Sequence, residues 1–467
     1  LRTQRVNDVG FAGFTELPLM CLFGKIIRCA DFVEIDIWRI RTYFLKYFFS
    51  KLVDAGGGKW HICCIMLPYF LMQQKKKKIV VAMSGGVDSS VTAALLKEQG
   101  YECIGMHLNF WSDPGVPNEM ARAAKNKCCT LGGLEDARDV CAKLNIPFYV
   151  MNVVTEFKER VVDYFLDSYA KGETPNPCVE CNRHIKFGEL LKRARELGAD
   201  FLASGHYAKV ETSSVTGKRE LLMPRDRTKD QTYFLYHLSQ EKLERILFPL
   251  GGLMKSQVYE LARKFGLIRV AEKPQSQGLC FFSEATPKEF LHRYLQGGFF
   301  KSGPIVTMEG KIIGQHNGLP FYTIGQRQGL GIGGIAGEPE GEAWYVVRID
   351  PRKNQLVVGR KVDVYHNAFV CRDISFISGE IPKGKISVQV RIRHRGTLAP
   401  ANMELKEGKV LVFCDEPICA IAPGQAAVFY RGEEVIGGAI IEKIVPSRSH
   451  EKIQTSQKDT ASLLVAY

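Results

Sequence analysis

The stretch KIVVAMSGGVDSSVTAALLKEQG, residues 78–100, constrains this chain more than any other. A run of β-branched residues is cut by two glycines, and the apolar residues after the cut take helical spacing that ends on Gly100 as a C-cap. Strand, glycine turn and helix in that order form half of a βαβ unit and commit the region to a parallel sheet. The glycines let backbone N–H groups close on phosphate oxygens. Ser84, Ser89 and Ser90 add hydroxyls at a helix N-terminus whose dipole favours an anion. A phosphate is the expected ligand.

The alternation continues downstream. YECIGMHL is read as a strand, LEDARDVCAKLN as a helix, PFYVMNVV as a strand, EFKERVVDYFLDSYAKG and IKFGELLKRARELG as helices, and DFLASGHY as a strand. This order predicts an α/β fold with a doubly wound parallel sheet and ligands at the carboxyl ends of its strands. The glycine loop, the segment near Leu108 and the turn at Gly205 all follow strand ends, so they are expected to converge on one nucleotide.

The loop fits neither G-x-x-x-x-G-K-[ST] nor G-x-G-x-x-G. S-G-G-x-D-S after a strand resembles the PP-loop of ATP pyrophosphatases, which cleave ATP between its α and β phosphates and adenylate a substrate. The resemblance implies ATP bound by Ala82, Met83, Ser84, Gly85, Gly86, Val87, Asp88 and Ser89, with Leu108 and Gly205. A carboxylate is out of place in an anion site unless it holds Mg²⁺ on the pyrophosphate, which is the role expected of Asp88.

TPNPCVECN, residues 174–182, sets Cys178 and Cys181 in a Pro-stiffened loop between two helices. Such a pair serves as a metal clip, as a redox dithiol, or as neither. A structural zinc site wants four ligands, and no second C-x-x-C stands at ribbon spacing. The adjacent Cys128 and Cys129 suit a zinc knuckle poorly. Cys280, in SQGLCFF, is a third candidate thiol.

At 467 residues the chain is long enough for two or three domains, and 45% apolar with 24% charged residues is globular composition. The net charge of +13 suits a polyanionic partner, or merely solubility. Fourteen cysteines fall short of a secreted disulfide scaffold, so a reducing, cytoplasmic setting is expected. Residues 1–74 read as an extension outside the fold, with Met72 as the natural start; a targeting or membrane-association segment is the alternative. Their cluster CCIMLPYFLM is broken by Pro68 and too short to span a bilayer, so no membrane partner is expected.

AMSGGVDSSV, GETPNPCVECNRHIKFG, GADFLASGHYAKV, KDQTYFLYHL, SQGLCFF, TIGQRQGLGI and DEPICAIAPGQAAVFY occur in the order and approximate spacing of the tRNA-specific 2-thiouridylases, the bacterial MnmA family. The chain resembles that family over about residues 77–446. The resemblance implies an ATP-dependent sulfurtransferase. The C2 oxygen of the wobble uridine of tRNA attacks the α-phosphate, and sulfur then displaces AMP to leave 2-thiouridine. The sulfur arrives as a persulfide on Cys280, and Cys181 assists its release by forming a disulfide. Arg183 and Lys186 are cations suited to lowering a thiol pKa there. Cys178 stands where family members carry an acidic residue that contacts the base. A thiol is a poorer hydrogen-bond partner, so the alternative stays open that Cys178, Cys181 and Cys280 ligate an iron-sulfur cluster.

The resemblance also implies tRNA contacts at Asn176, Pro177, Cys178, Lys229, Asp230, Gln231, Arg393 and His394, where His394 replaces a more usual Tyr. A sulfur-relay protein or cysteine desulfurase is the implied donor, and a monomer is expected. Expected domains are the PP-loop domain at 75–250, a small central domain with Cys280 at 251–325, an antiparallel β-barrel at 326–446, and a disordered tail at 447–467. Within VQVRIRHRG, strand alternation puts Arg391, Arg393 and Arg395 on one face as a phosphate-tracking stripe. His206 is read as a packed residue rather than a base.

Overall fold

The computed structural model describes residues 76–115, 131–273, 278–281, 287–295, 300–332 and 343–445, so the expectations for 1–74 and 447–467 lie outside the described residues. The first sheet has five strands, β1 (Lys78–Ala82), β2 (Glu102–Asn109), β3 (Phe148–Asn152), β4 (Phe201–Ala203) and β7 (Ile246–Leu247), in the order β3-β2-β1-β4-β7. All pairings in it are parallel, as the alternation of strand and helix requires.

β1 is buried on both faces, and its successive side chains feed two different cores. Ile79, Val81 and Met83 join α1 (Val87–Glu98), α2 (Leu131–Lys143) and the later helix Lys255–Lys264. Val80, with Met106 and Leu108 of β2, joins the other core beneath two long helices. The first of these, α3, is α-helical over Val154–Phe157, π over Lys158–Val162 and α again over Asp163–Ala170. The second, α4, runs Pro177–Glu180, then π over Cys181–Glu189, then Leu190–Glu196. Pro177 starts α4 at a position where a missing N–H costs nothing. The helix Lys255–Lys264 is α5, and Lys288–Tyr294 is α6.

A four-stranded sheet follows, with β8 (Gly303–Val306), β9 (Ile312–His316), β10 (Tyr345–Asp350) and β11 (Gln355–Gly359) in the order β10-β11-β8-β9 around its own apolar core. The sequence reading put AWYVVRIDPRKNQLVVG in the terminal barrel. Instead β11 pairs in parallel with β8, so this hairpin completes the middle sheet. A hairpin reveals its own two strands, whereas its outer partner is a non-local choice.

The last sheet contains β12 (Tyr365–Phe376), β13 (Lys385–Arg391), β14 (Ala399–Lys406), β15 (Lys409–Cys419), β16 (Ala426–Arg431) and β17 (Glu434–Ile444). Pairing of β12 with β17 closes these strands into an antiparallel barrel. The hairpin of β5 (Lys209–Thr212) and β6 (Arg219–Leu222) leaves the first part of the chain and adds to β17. Ala426, Val428 and Tyr430 of the barrel lie in one apolar cluster with Val80 and α4, so barrel and parallel sheet share a core.

Candidate active site

The glycine loop holds its own shape. Gly85 has φ +80°, a left-handed conformation natural to glycine, and a Cβ there would lie 2.1 Å from the Gly133 carbonyl oxygen in α2. The Ser84 N–H donates to Ser89 Oγ at 3.2 Å, and Ser89 Oγ donates to the Gly86 carbonyl at 3.0 Å. Ser90 Oγ donates to the same carbonyl at 2.9 Å. Gly86 caps α1 without any side-chain bond, so the loop and the first turn present backbone N–H groups, which suits an anion. Met83, Val87 and Leu108 are buried in the cores, which leaves their backbones as the parts able to meet a ligand. Ala82 is half-buried at the end of β1. Gly205 packs so closely on α1 that a Cβ would lie 2.8 Å from the Asp88 backbone carbon. The turn after β4 and the loop after β1 therefore meet.

Asp88 sits on the first turn of α1 with its side chain 34% exposed. Two donors converge on its Oδ1, the Tyr207 hydroxyl at 2.9 Å and Lys255 Nζ at 2.6 Å. Burial, followed by the charge of Asp88, raises the Tyr207 pKa, so its hydroxyl keeps its proton and remains a donor. Lys255 opens α5. Its backbone N–H donates to Asp226 Oδ2 at 2.9 Å, so Asp226 caps the helix from outside. Burial pushes the Asp226 pKa up, but hydrogen bonds from Thr228 and the Lys255 backbone outweigh it and hold the carboxyl below its usual range. Sequence reading passed over Lys255 and weighed Tyr207 only beside His206, outside the expected site residues. Each has only a weak local signal, a lysine beginning an amphipathic helix and a tyrosine just after the SGHY histidine.

His206 is packed against Phe187 and Phe248, with Nδ1 2.8 Å from Ser204 Oγ. Burial and then the Lys186 charge lower its pKa well below the ordinary value, so it is a neutral packing residue, as the sequence suggested.

Cys181 is 7% exposed and begins the π-helical stretch of α4. Such stretches are frequent at functional sites because the widened turn re-aims side chains. Cys178 and Cys280 are half-buried. Cys181 belongs to the apolar cluster under α3 and α4, and Cys280 packs against that cluster. Phe281 anchors the Cys280 loop by edge contacts with Phe165 (5.2 Å) and Phe290 of α6 (5.4 Å). Beyond β2, Asp113 receives Arg293 Nε at 3.0 Å and the Tyr294 hydroxyl, which fixes α6 against the sheet edge. The structure thus brings the two sequence-distant cysteines to one core. Among the described residues no group of three His, Cys, Asp or Glu is arranged to hold a metal ion. Cys178, Cys181 and Cys280 are all described, so this arrangement does not fit a three-cysteine cluster.

The barrel clamps the cysteine loop. The Thr174 N–H donates to the Pro423 carbonyl at 2.8 Å, and Gln425 Nε2 donates to the Thr174 carbonyl at 2.9 Å. Arg372 grips Glu173 with two bonds of 3.0 and 2.8 Å, the fork geometry of a strong pair. Asn176 hydrogen-bonds to the Tyr233 hydroxyl, and Pro177 is buried.

The arginine stripe is corrected. β13 ends at Arg391, and the following residues turn, so strand alternation does not reach Arg393 or Arg395. Arg391 points inward, pairs with Asp230 Oδ2 at 2.7 Å and stacks on Tyr430. Asp230 is 6% exposed and also accepts from the Thr232 hydroxyl at 2.7 Å, so its carboxylate is spent inside the protein. Gln231 accepts from the Tyr207 N–H at 2.9 Å, and Lys229 is half-buried. Arg393 is exposed, its Nη2 donating to the Cys419 carbonyl at 2.6 Å. The half-buried His394 lies on Phe234 with ring centres 4.4 Å apart.

A doubly wound sheet, an anion-cradling loop with a carboxylate at its mouth, a middle β-sheet and a closed terminal barrel define an α/β nucleotide-site protein with two β appendages. Three family models match in that order: a tRNA methyl transferase HUP domain over residues 77–284, a tRNA methyl transferase PRC-barrel domain over 288–360 and an aminomethyltransferase β-barrel domain over 366–441. The tRNA-specific 2-thiouridylase MnmA of Carboxydothermus hydrogenoformans is 46% identical over 361 residues, 77% of this chain and 96% of that protein. That of Pelotomaculum thermopropionicum is 45% identical over 359 residues, 77% of this chain and 95% of its own. The chain belongs to the tRNA-specific 2-thiouridylase family. Among solved structures, a 4-thiouridine synthetase–RNA complex with bound ATP is similar over 46% of this chain and 50% of its own, at 20% identity and a TM-score of 0.28, a likeness too slight to argue from.

Proposed function

We propose that the protein is a tRNA-uridine 2-sulfurtransferase that uses ATP to convert the wobble uridine to 2-thiouridine. The observation that carries this reading is family membership along the whole described chain, together with Cys181 and Cys280 on one core beside the glycine loop's sheet. The loop from Ala82 to Ser89, with Leu108 and Gly205, cradles the ATP phosphates through backbone N–H groups. Asp88 would hold Mg²⁺, which supplies charge neutralisation on the pyrophosphate.

The uridine C2 oxygen forms a bond to the α-phosphorus, and the bond to the β-phosphate oxygen breaks with its electron pair leaving on pyrophosphate. Cys280 carries the sulfur as a persulfide. The Cys181 thiolate attacks the Cys280 sulfur, forms a disulfide and releases hydrosulfide, which adds to C2 and expels AMP. An external thiol then reduces the disulfide. The absence of a three-ligand group among the described residues favours this route over a cluster. Cys178, whose carbonyl accepts from Asn182 Nδ2 one helical turn on, takes the place of the family's acid in this reading. Asn176, Lys229, Gln231, Arg393 and His394 form the tRNA-facing set, with the buried Pro177 and Asp230 bracing it from inside.

The sulfur donor is a relay protein or cysteine desulfurase, and the protein acts as a monomer in the cytoplasm. Cys103, Cys141, Cys371 and Cys414 are buried thiols, which suits a reducing compartment. The test is incubation with unmodified tRNA, ATP and a sulfide source, followed by nucleoside mass analysis. Uridine in which sulfur replaces oxygen supports the reading. A product heavier by a methylene, as the family-model name would suggest, or ATP consumption indifferent to tRNA, overturns it.

A further inference from the structure

The scheme above leaves Lys255 without a task. Its side chain lies 167 positions from Asp88 in sequence and at 2.6 Å in space, while the residue is only 8% exposed. The ammonium stands over the rings of Tyr207 and Tyr259, 5.6 and 5.1 Å from their centres. One account is an ion pair, buried on the lysine side and part-exposed at the carboxylate, that ties α5 to α1. Desolvation consumes most of what such a pair returns, so stability alone is a weak reason for it. Position is a stronger one. Residues 83–92, MSGGVDSSVT, hold no lysine or arginine, whereas a loop that binds a triphosphate must meet several negative charges. A desolvated ammonium at its mouth interacts with phosphate far more strongly than one in water.

We propose that Lys255 is a ligand of the β and γ phosphates of ATP, exchanging Asp88 for the pyrophosphate as the nucleotide binds. Asp88 is released to its cation while the Tyr207 hydroxyl, on the same Oδ1, keeps the carboxylate oriented. As the α-phosphorus bond to the leaving oxygen breaks, the electron pair moves onto pyrophosphate next to the Lys255 charge, and Lys255 neither gives nor takes a proton. This rests on reading the glycine loop as an ATP site.

The experiment compares equilibrium binding of ATP and of AMP to wild type, Lys255→Gln and Lys255→Arg, with thermal melts of each. Lys255→Gln is expected to lower ATP affinity by about tenfold or more and leave AMP affinity within about twofold, because AMP lacks the contacted groups. Lys255→Arg, which keeps the charge, restores part of the ATP preference and covers the case in which the glutamine variant fails to fold. Equal losses for ATP and AMP, or no loss of either, overturn the assignment and return Lys255 to a structural tie. Wild type that binds neither nucleotide overturns the ATP reading itself, a result distinct from both.

Discussion

Asp88, Cys181 and Cys280 divide the proposed reaction into steps that single substitutions separate. Cys280→Ser is expected to abolish thiolated product while tRNA-dependent pyrophosphate release continues, measured on one sample by nucleoside analysis and a pyrophosphate assay. Loss of both together would place Cys280 in nucleotide use instead. Asp88→Asn, which keeps side-chain volume beside Lys255, is expected to slow pyrophosphate release by about 10²–10³-fold, the range for losing one electrostatic stabiliser, with tRNA affinity unchanged in a filter-binding assay. The glycine loop was legible because strand, turn and helix are written in a few adjacent residues. Lys255 was not, since nothing near position 255 announces a partner 167 residues away. Asp230 is expected at the tRNA because its segment resembles the family's tRNA-contacting one, and only the fold shows that its carboxylate pairs with Arg391.

Elements show the same division between local and distant information. Strand, loop and helix at 78–100 were readable from spacing, and so was the parallel order of the sheet. The end of β13 was not, because alternation in VQVRIRHRG continues on paper past the residue where the chain turns. The Asp230–Arg391 pair joins the turn before Thr232 to that strand end, and both side chains are almost fully buried. Asp230→Asn should therefore destabilise the protein by about 3–5 kcal/mol, the cost of leaving a buried charge unpaired, in a urea melt. An unchanged midpoint with weaker tRNA binding would restore Asp230 to the RNA surface. Gly85→Ala forces a methyl onto the Gly133 carbonyl and a side chain into a left-handed backbone, and should abolish nucleotide binding while the far barrel stays folded by circular dichroism.

At the scale of the whole molecule, histidine burial sets the acid limit. His107, His206, His237, His316, His366 and His394 all have pKa values lowered first by burial, with His237 down to about 3. On unfolding, each returns to about 6.5 and binds a proton the folded state refuses. Their contribution is thus full above about pH 6.5 and is lost as pH falls below it. Thermal melts from pH 7.5 to 5.5 should show a steep decline before carboxylates titrate; a flat profile would mean these rings are solvated. The three-part organisation was visible in composition and motifs, but the assignment of β10 and β11 to the middle sheet required knowledge of β8.

The hairpin β5–β6 gives the molecule a timetable. It is synthesised at residues 209–222, yet the strand it pairs with, β17, spans 434–444. During translation that edge stays open until the last barrel strand has left the ribosome, and the Thr174 loop likewise waits for Pro423 and Gln425. Contacts closing such long stretches of chain form slowly and expose sticky intermediates meanwhile. A nascent chain cut short inside the barrel therefore leaves the cysteine loop without Pro423 and Gln425, so completion of synthesis itself fastens that loop.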